Sequence, residues 1–400
     1  MKNLRLFNVI SFIKGLYFYL PIFTLFVLSK DISLPTVVIS QTFYSLFVFL
    51  GEVPTGIFAD YFGQKTSIII GYILEAFGIL LVLFYPTPIG LYVSYSIRGF
   101  ADSFLSGSKE SLLFETVKHL KRNDYQKIYG KIIANEQIGF IMATFICGVA
   151  YQYFKESSFV PLIILTAFCM FITGILSIFL KNYKTETLNE EEGSKMFSIL
   201  KQSFSLIKKD RMILTLSIVG VLTISGQYII QGIYQPYFQN NGVSAFWIGA
   251  VLSFGSILNI LAIRNVHLLE KYFSFEKILL IINLGLGLTY IFMALFTNPI
   301  LLVVFYILMN GFFNTQIPIV SNYINLKTKS YMRATVLSGV SFIRRFFQIF
   351  ITWVVGISVG IFGIQHSIAM FGLYLIVGIC IGYYLLVRCG CTEKVTCQMI

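Results

Sequence analysis

Charge is what this sequence has least of. Lysine, arginine, aspartate and glutamate make up only 12% of its 400 residues, about half their share in a soluble globular domain. A chain so poor in charge cannot present a water-facing surface over most of its length, which excludes a soluble enzyme and a nucleic-acid-binding domain. Histidine is scarcer still: His119, His267 and His366 lie near span ends or in loops, with no nucleophile or metal constellation around them. No metal, cofactor or catalytic residue is therefore expected. The six cysteines lack metal-ligand spacing. Cys147, Cys169 and Cys380 fall in apolar runs, where a thiol packs as a small hydrophobe. Cys389, Cys391 and Cys397 lie in the carboxy-terminal tail. Cys397 is fourth from the end, but Gln398 is not the aliphatic residue that a prenylation box needs.

Apolar length is what the chain has in excess. It is 56% hydrophobic, with a mean hydropathy of +0.79, and one membrane crossing needs about 20 apolar residues. The apolar segments run 8–28, 35–56, 67–84, 89–113, 131–153 and 158–180, then 212–237, 244–264, 277–296, 299–323, 335–356 and 361–387. Between the two sets lies the longest polar stretch, Lys181 to Arg211, with Glu190-Glu191-Glu192 inside it. The expected fold is an all-α membrane protein of about twelve transmembrane helices, in two six-helix halves related by pseudo-symmetry. Its divisions are 1–180, a linker 181–211, a second half 212–388 and a tail 389–400. The first segment lacks a small-residue cleavage site and is read as a retained helix. Pro21 and Pro318, within spans, are expected to kink their helices where neighbours re-satisfy the freed carbonyls.

Lysine and arginine set the orientation. With a cytoplasmic amino terminus, the inner loops carry Lys65, Lys118, Lys121, Arg122, Lys127, the linker, Arg264, Lys271, Lys327, Lys329 and Arg333. The outer loops carry only Lys30 and Lys155. The net charge of +12 is thus a topology signal and not a nucleic-acid footprint. Both termini are expected in the cytoplasm of a cell whose inner (plasma) membrane holds the chain, as a monomer.

A charge at mid-bilayer costs at least about 2.5–3.5 kcal/mol, so each one needs a reason. The deepest are Glu75, Arg98, Asp102, Arg344 and Arg345; Lys14, Glu52, Lys109, Glu110 and Glu136 sit nearer the cytoplasmic ends. Arg98 and Asp102, four residues apart, share a helix face and are expected to pair, either as a structural pair or as a proton-coupling switch. Glu75 has no sequence-local partner, which suits either a proton carrier or a silent neutral acid. Arg344 and Arg345 either join the halves through a carboxylate or anchor an anionic group. Gln227, Gln231 and Gln235 form a stripe on the seventh helix, with Asn310, Asn314 and Gln316 on the tenth. Such amides either glue helices together or line a wet pathway with Tyr17, Tyr228 and Tyr234.

Gly51-Glu52-Val53-Pro54-Thr55-Gly56-Ile57-Phe58-Ala59-Asp60-Tyr61-Phe62-Gly63-Gln64-Lys65 resembles the first-loop signature of the major facilitator superfamily at Gly56, Asp60, Gly63 and Lys65. Tyr61 and Gln64 replace residues that are usually basic. Arg98-Gly99-Phe100-Ala101-Asp102, followed by Ser106-Gly107, is similar to that superfamily's fourth-helix pattern. The resemblance implies a secondary transporter working by alternating access. It implies a latch in which Gly56 and Gly63 permit a tight turn and close helix approach. In that latch Asp60 sits at the start of the eleventh helix (Thr335 to Gly339), and Lys65 reaches Glu115. The run from Glu52 to Gly56 is similar to drug-efflux-type members. Gly130, Gly139 and Gly148 recur in the fifth helix without the proline that drug antiporters carry there.

The function expected from these features is proton-coupled efflux of an amphipathic organic compound. Protons would move through Arg98, Asp102 and Glu75, and substrate would pass Tyr17, Gln227, Gln231, Asn310, Asn314, Arg344 and Arg345. Uptake of an anionic metabolite and a non-transporting sensor are the alternatives.

Overall fold

A computed structural model describes residues 2–120, 125–182, 211–313 and 333–388. Among them there is helix and no strand. The helices are α1 (Lys2–Lys14), α2 (Phe23–Leu28), α3 (Leu34–Phe62), α4 (Gln64–Phe84), α5 (Pro88–Leu105), α6 (Ser108–His119), α7 (Tyr125–Phe154) and α8 (Phe159–Ser177). They continue as α9 (Arg211–Asn240), α10 (Ala245–Tyr272), α11 (Phe275–Leu295), α12 (Pro299–Phe313) and α13 (Arg333–Arg388). Gly363 interrupts α13 at φ 76°, a conformation open to glycine because it has no Cβ. Each of the twelve apolar segments is mostly helix where it is described, with breaks inside the first and fourth. Among the described residues, six stretches are long and apolar enough to cross a membrane, and two of them, Lys127–Ser177 and Phe342–Tyr384, are 51 and 43 residues long, enough for two crossings each.

The distribution of side chains identifies the solvent. On α8 the buried positions include Thr166, Thr173 and Ser177, while Ile164, Phe168, Phe171 and Ile175 are exposed. Each of the three hydroxyls donates to a carbonyl four residues earlier, at 2.7–2.8 Å. Exposed apolar surface on this scale marks contact with a partner or a membrane; on a helix with polar groups inside, it marks lipid. Hydroxyls also bind neighbouring helices to one another. Ser94 donates to the Gly78 carbonyl (2.7 Å), Ser67 to Phe104 (2.7 Å) and Thr55 to Ser103 (2.8 Å), bonds that hold α3 and α4 against α5 where lipid supplies no hydrophobic drive.

The described residues pack as two units. One holds the residues up to 182 together with Gly232–Ser253; the other holds 211–231 and those from Phe254 onward. The boundary therefore cuts α9 and α10. In the second unit the Tyr290 hydroxyl donates to the Gly226 carbonyl (2.7 Å) and Gln365 to the Ala294 carbonyl (2.7 Å).

Two spans in the first unit depart from the sequence reading. The first is not one helix: α1 stops at Lys14, residues 15–19 are irregular, and a single tight turn at Leu20–Ile22 leads into α2. Pro21 is the cause, because its ring clashes with the carbonyl four residues back and it has no N–H to give. A glutamine completes the repair. In an unbroken helix the Thr24 N–H would bond the Leu20 carbonyl; here the Gln235 side chain stands between them. Its Oε1 accepts from Thr24 N (2.8 Å) and Leu25 N (3.4 Å), and its Nε2 donates to Leu20 O (3.0 Å). The fourth span likewise breaks, at Ser106-Gly107, where Gly107 has φ 74°, so that α5 and α6 are separate helices.

Of the three evenly spaced glycines on α7, two lie at close helix contacts. A Cβ on Gly139 would run into the Phe12 carbonyl of α1, and one on Gly148 would lie 2.6 Å from the Phe246 carbonyl at α10; one on Gly130 would meet nothing. Gly139→Ala is accordingly expected to destabilise the protein by about 1–3 kcal/mol, read as a lower unfolding midpoint in detergent. Gly130→Ala should leave that midpoint unchanged or raise it.

Candidate functional site

The break in the first span determines what meets at mid-membrane. Glu75 lies roughly 16 Å along α4 from Gln64, and Arg98 roughly 15 Å along α5 from Pro88, at about 1.5 Å per residue. Both are thus near the middle of a core about 30 Å thick. Arg98 Nε bonds Glu75 Oε1 at 3.1 Å, and their side chains are only 12% and 8% exposed. The irregular segment after Lys14 delivers Tyr17 to the same carboxylate, its hydroxyl donating to Oε1 at 3.1 Å. The guanidinium carbon sits 5.8 Å from the Tyr19 ring and 5.5 Å from the Tyr95 ring, close enough for cation–π attraction. Gly78 makes the crossing possible, because a Cβ there would lie 2.6 Å from Arg98 Cγ.

This geometry corrects the expected pairing. Arg98 turns away from Asp102 on its own helix and across to Glu75, so the carboxylate without a sequence-local partner acquires two from distant segments. An i, i+4 spacing makes a contact feasible; at this depth the Glu75 carboxylate, itself held by the Tyr17 hydroxyl, takes the arginine instead.

A second charged cluster lies toward the Lys2 end of the unit. Lys14, the last residue of α1, forms an ion pair with Glu136 of α7, and Lys109 of α6 lies 3.8 Å from the other Glu136 oxygen. Glu110 accepts from the Tyr129 hydroxyl at 2.7 Å. Asp102 joins these residues in lining a cavity of about 330 Å³. Gly15 lets α1 meet α7 beside the pair, since a Cβ there would collide with the Glu136 carbonyl. Lys14, Lys109, Glu110 and Glu136 are visible in the sequence as charges inside apolar runs. Their convergence is not visible, because it needs three separate helices to be placed.

The remaining expected positions separate into groups. Gly63 has φ 91° and ends α3, which bears out its turn. Gly56 lies within α3, and a Cβ there would meet no described residue within 4 Å. Lys65 and Glu115 form no ion pair among the described residues; the bond from this junction to α6 runs instead from Gln64 to Ser111. Asp60 is exposed on the last turn of α3. Gln235 is helix glue, whereas Gln227 and Gln231 are half-buried. Asn310 ties α12 to α10 by accepting from the Asn259 side chain at its carbonyl (3.2 Å). Arg344, half-buried, packs its chain against Gly220, where a Cβ would lie 2.9 Å from its Cδ; Arg345 is half-buried beside it. Asn314, Gln316 and Pro318 lie outside the described residues.

Comparison with known proteins agrees with this architecture. The family model of the Major Facilitator Superfamily matches residues 6–352. An uncharacterized MFS-type transporter of Bacillus subtilis (strain 168), YxaM, is 23% identical over 389 residues, covering 94% of each chain. The crystal structure of the nucleoside transporter NupG has a TM-score of 0.81 at 16% identity, covering 96% of this chain and 99% of that one. A crystal structure of the peptide transporter POT has a TM-score of 0.75 at 14% identity, covering 97% and 95%. At such identities these two structures establish the fold. With a family match over most of its length and an all-helical, multi-pass membrane architecture, the chain belongs to the Major Facilitator Superfamily, whose transporters are built of twelve helices.

Proposed function

We propose that this transporter couples protons to the export of an amphipathic organic compound, with its amino terminus on the cytoplasmic side of the inner (plasma) membrane. The observation that carries the coupling is the Tyr17–Glu75–Arg98 cluster at the break of the first span. A buried ion pair is costly when one member is neutralised, so protonating Glu75 sets Arg98 free, and Arg98 must then seek another partner or water. A carboxylate whose protonation decides where an arginine points can link proton entry to a change of conformation. Asp102, facing the cavity at the next turn of α5, is a second candidate proton acceptor. The solved relatives, a nucleoside transporter and a peptide transporter, suggest polar organic solutes of modest size as substrates. The aromatic surroundings of Arg98 favour an apolar body on such a solute.

The test uses purified protein in proteoliposomes under an imposed pH gradient. A panel of radiolabelled cationic, zwitterionic and anionic amphipaths, with a nucleoside and a dipeptide, is screened for gradient-driven movement. Glu75→Gln is expected to abolish the gradient dependence of the responsive compound, leaving at most gradient-independent exchange. Dependence unchanged from the wild type would eliminate Glu75 as the coupling acid.

A further inference from the structure

We propose that the cavity between α1, α6 and α7 binds a zwitterionic amphipath, with Asp102 taking its ammonium and Lys109 its anionic end. The inference rests on the transport reading above and specifies the class of solute. The cavity has about 330 Å³ of space, within the range of small-molecule sites. Its lining is mixed: Phe7, Leu105, Leu113, Ile132 and Ile133 are apolar, and Lys14, Asp102, Lys109, Glu110 and Glu136 are charged.

Those charges are unequally engaged. Glu136 holds Lys14 tightly, but Lys109 reaches the other oxygen only at 3.8 Å, the outer limit of an ion pair. Lys109 is therefore the cation best able to turn toward an incoming carboxylate or phosphate. Glu110 is occupied by the Tyr129 hydroxyl, whereas the Asp102 carboxylate has no ion-pair or hydrogen-bond partner among the described residues. With two lysines against Asp102, Glu110 and Glu136, the lining carries one negative charge more than it neutralises, so a lone anion is disfavoured. A solute with one charge of each sign leaves that balance unchanged and gives each of the two loosely held groups a partner. The Ser11 hydroxyl adds an independent sign of a ligand. It lines the same cavity, Ser11 is 1% exposed, and its Oγ has no hydrogen-bond partner among the described residues. Buried polar groups are normally satisfied, and a solute's polar end would satisfy this one.

The probes are L-phenylalanine and its two halves in charge, phenethylamine and hydrocinnamate, with binding followed by thermal unfolding of the purified protein in detergent. Phenylalanine is expected to bind at least tenfold more tightly than either half. Asp102→Asn should remove the response to phenethylamine and spare that to hydrocinnamate; Lys109→Gln should do the reverse. Should either variant fail to fold, Ser106→Cys, at an exposed position of the cavity lining, labelled with a polar maleimide, should be protected by phenylalanine and not by its halves. Equal responses to all three compounds, no response to any, or responses insensitive to both substitutions together with unprotected labelling would overturn the site. Proton coupling is judged separately by Glu75→Gln flux, so either idea can fail while the other stands.

Discussion

Arg98→Gln is expected to cost about 3–5 kcal/mol of stability, the usual penalty for leaving one member of a buried ion pair without its counter-charge. The carboxylate left behind is Glu75, only 8% exposed, near mid-bilayer, and still contacted by the Tyr17 hydroxyl. The same loss should not follow from neutralising both groups. Glu75→Gln with Arg98→Gln removes both charges and keeps hydrogen-bonding amides in their places, so most of the unfolding midpoint should return. Transport should not return with it. Unfolding midpoints of the two single variants and the double variant, measured in one detergent, give the coupling energy directly. A double variant no more stable than Arg98→Gln would show that the pair is not the unit described here.

Gln235→Leu is expected to have an effect of similar size through a different mechanism. One amide serves the Thr24 and Leu25 N–H groups and the Leu20 carbonyl. Each buried backbone group left without a partner costs about 1–3 kcal/mol, so removing the amide should lower stability by about 3 kcal/mol or more. The chain has one way to recover part of this: Thr24 can close directly on Leu20, straightening the first span. That movement would draw Tyr17 and Tyr19 away from Glu75 and Arg98, so proton-coupled flux should fall even in protein that remains folded. Gln235→Glu keeps the acceptor for Thr24 and Leu25 and should lose less stability than Gln235→Leu. An unfolding midpoint and a flux both unchanged in Gln235→Leu would mean that the break is held by Pro21 alone.

Some of these features can be read from residues alone. Glu75 and Arg98 are recognisable as deep charges, because depth follows from counting along an apolar run and the cost of charge in hydrocarbon applies whatever the neighbours. Gly63 is recognisable as a turn, because a junction between two long helices needs a residue free to adopt positive φ. Pro21 signals a kink. The reading that paired Arg98 with Asp102 rested on proximity along the chain, and Glu75 on another helix proved decisive. Gln235 stood in a stripe with Gln227 and Gln231. Periodicity put the three on one face but could not show that one of them would enter another helix's hydrogen-bond ladder.

What the sequence determined by itself is the solvent and the secondary structure. Hydropathy adds up along a segment without reference to the rest of the chain, and backbone groups in lipid must be satisfied within the segment, so a long apolar run is a helix. Only the tertiary structure decided which charge neutralises which, where Tyr17 points, and that Lys14, Lys109, Glu136 and Asp102 gather around one cavity. Electrostatic attraction in a poorly screening medium depends on distances between helices, and those distances are a property of the packed whole.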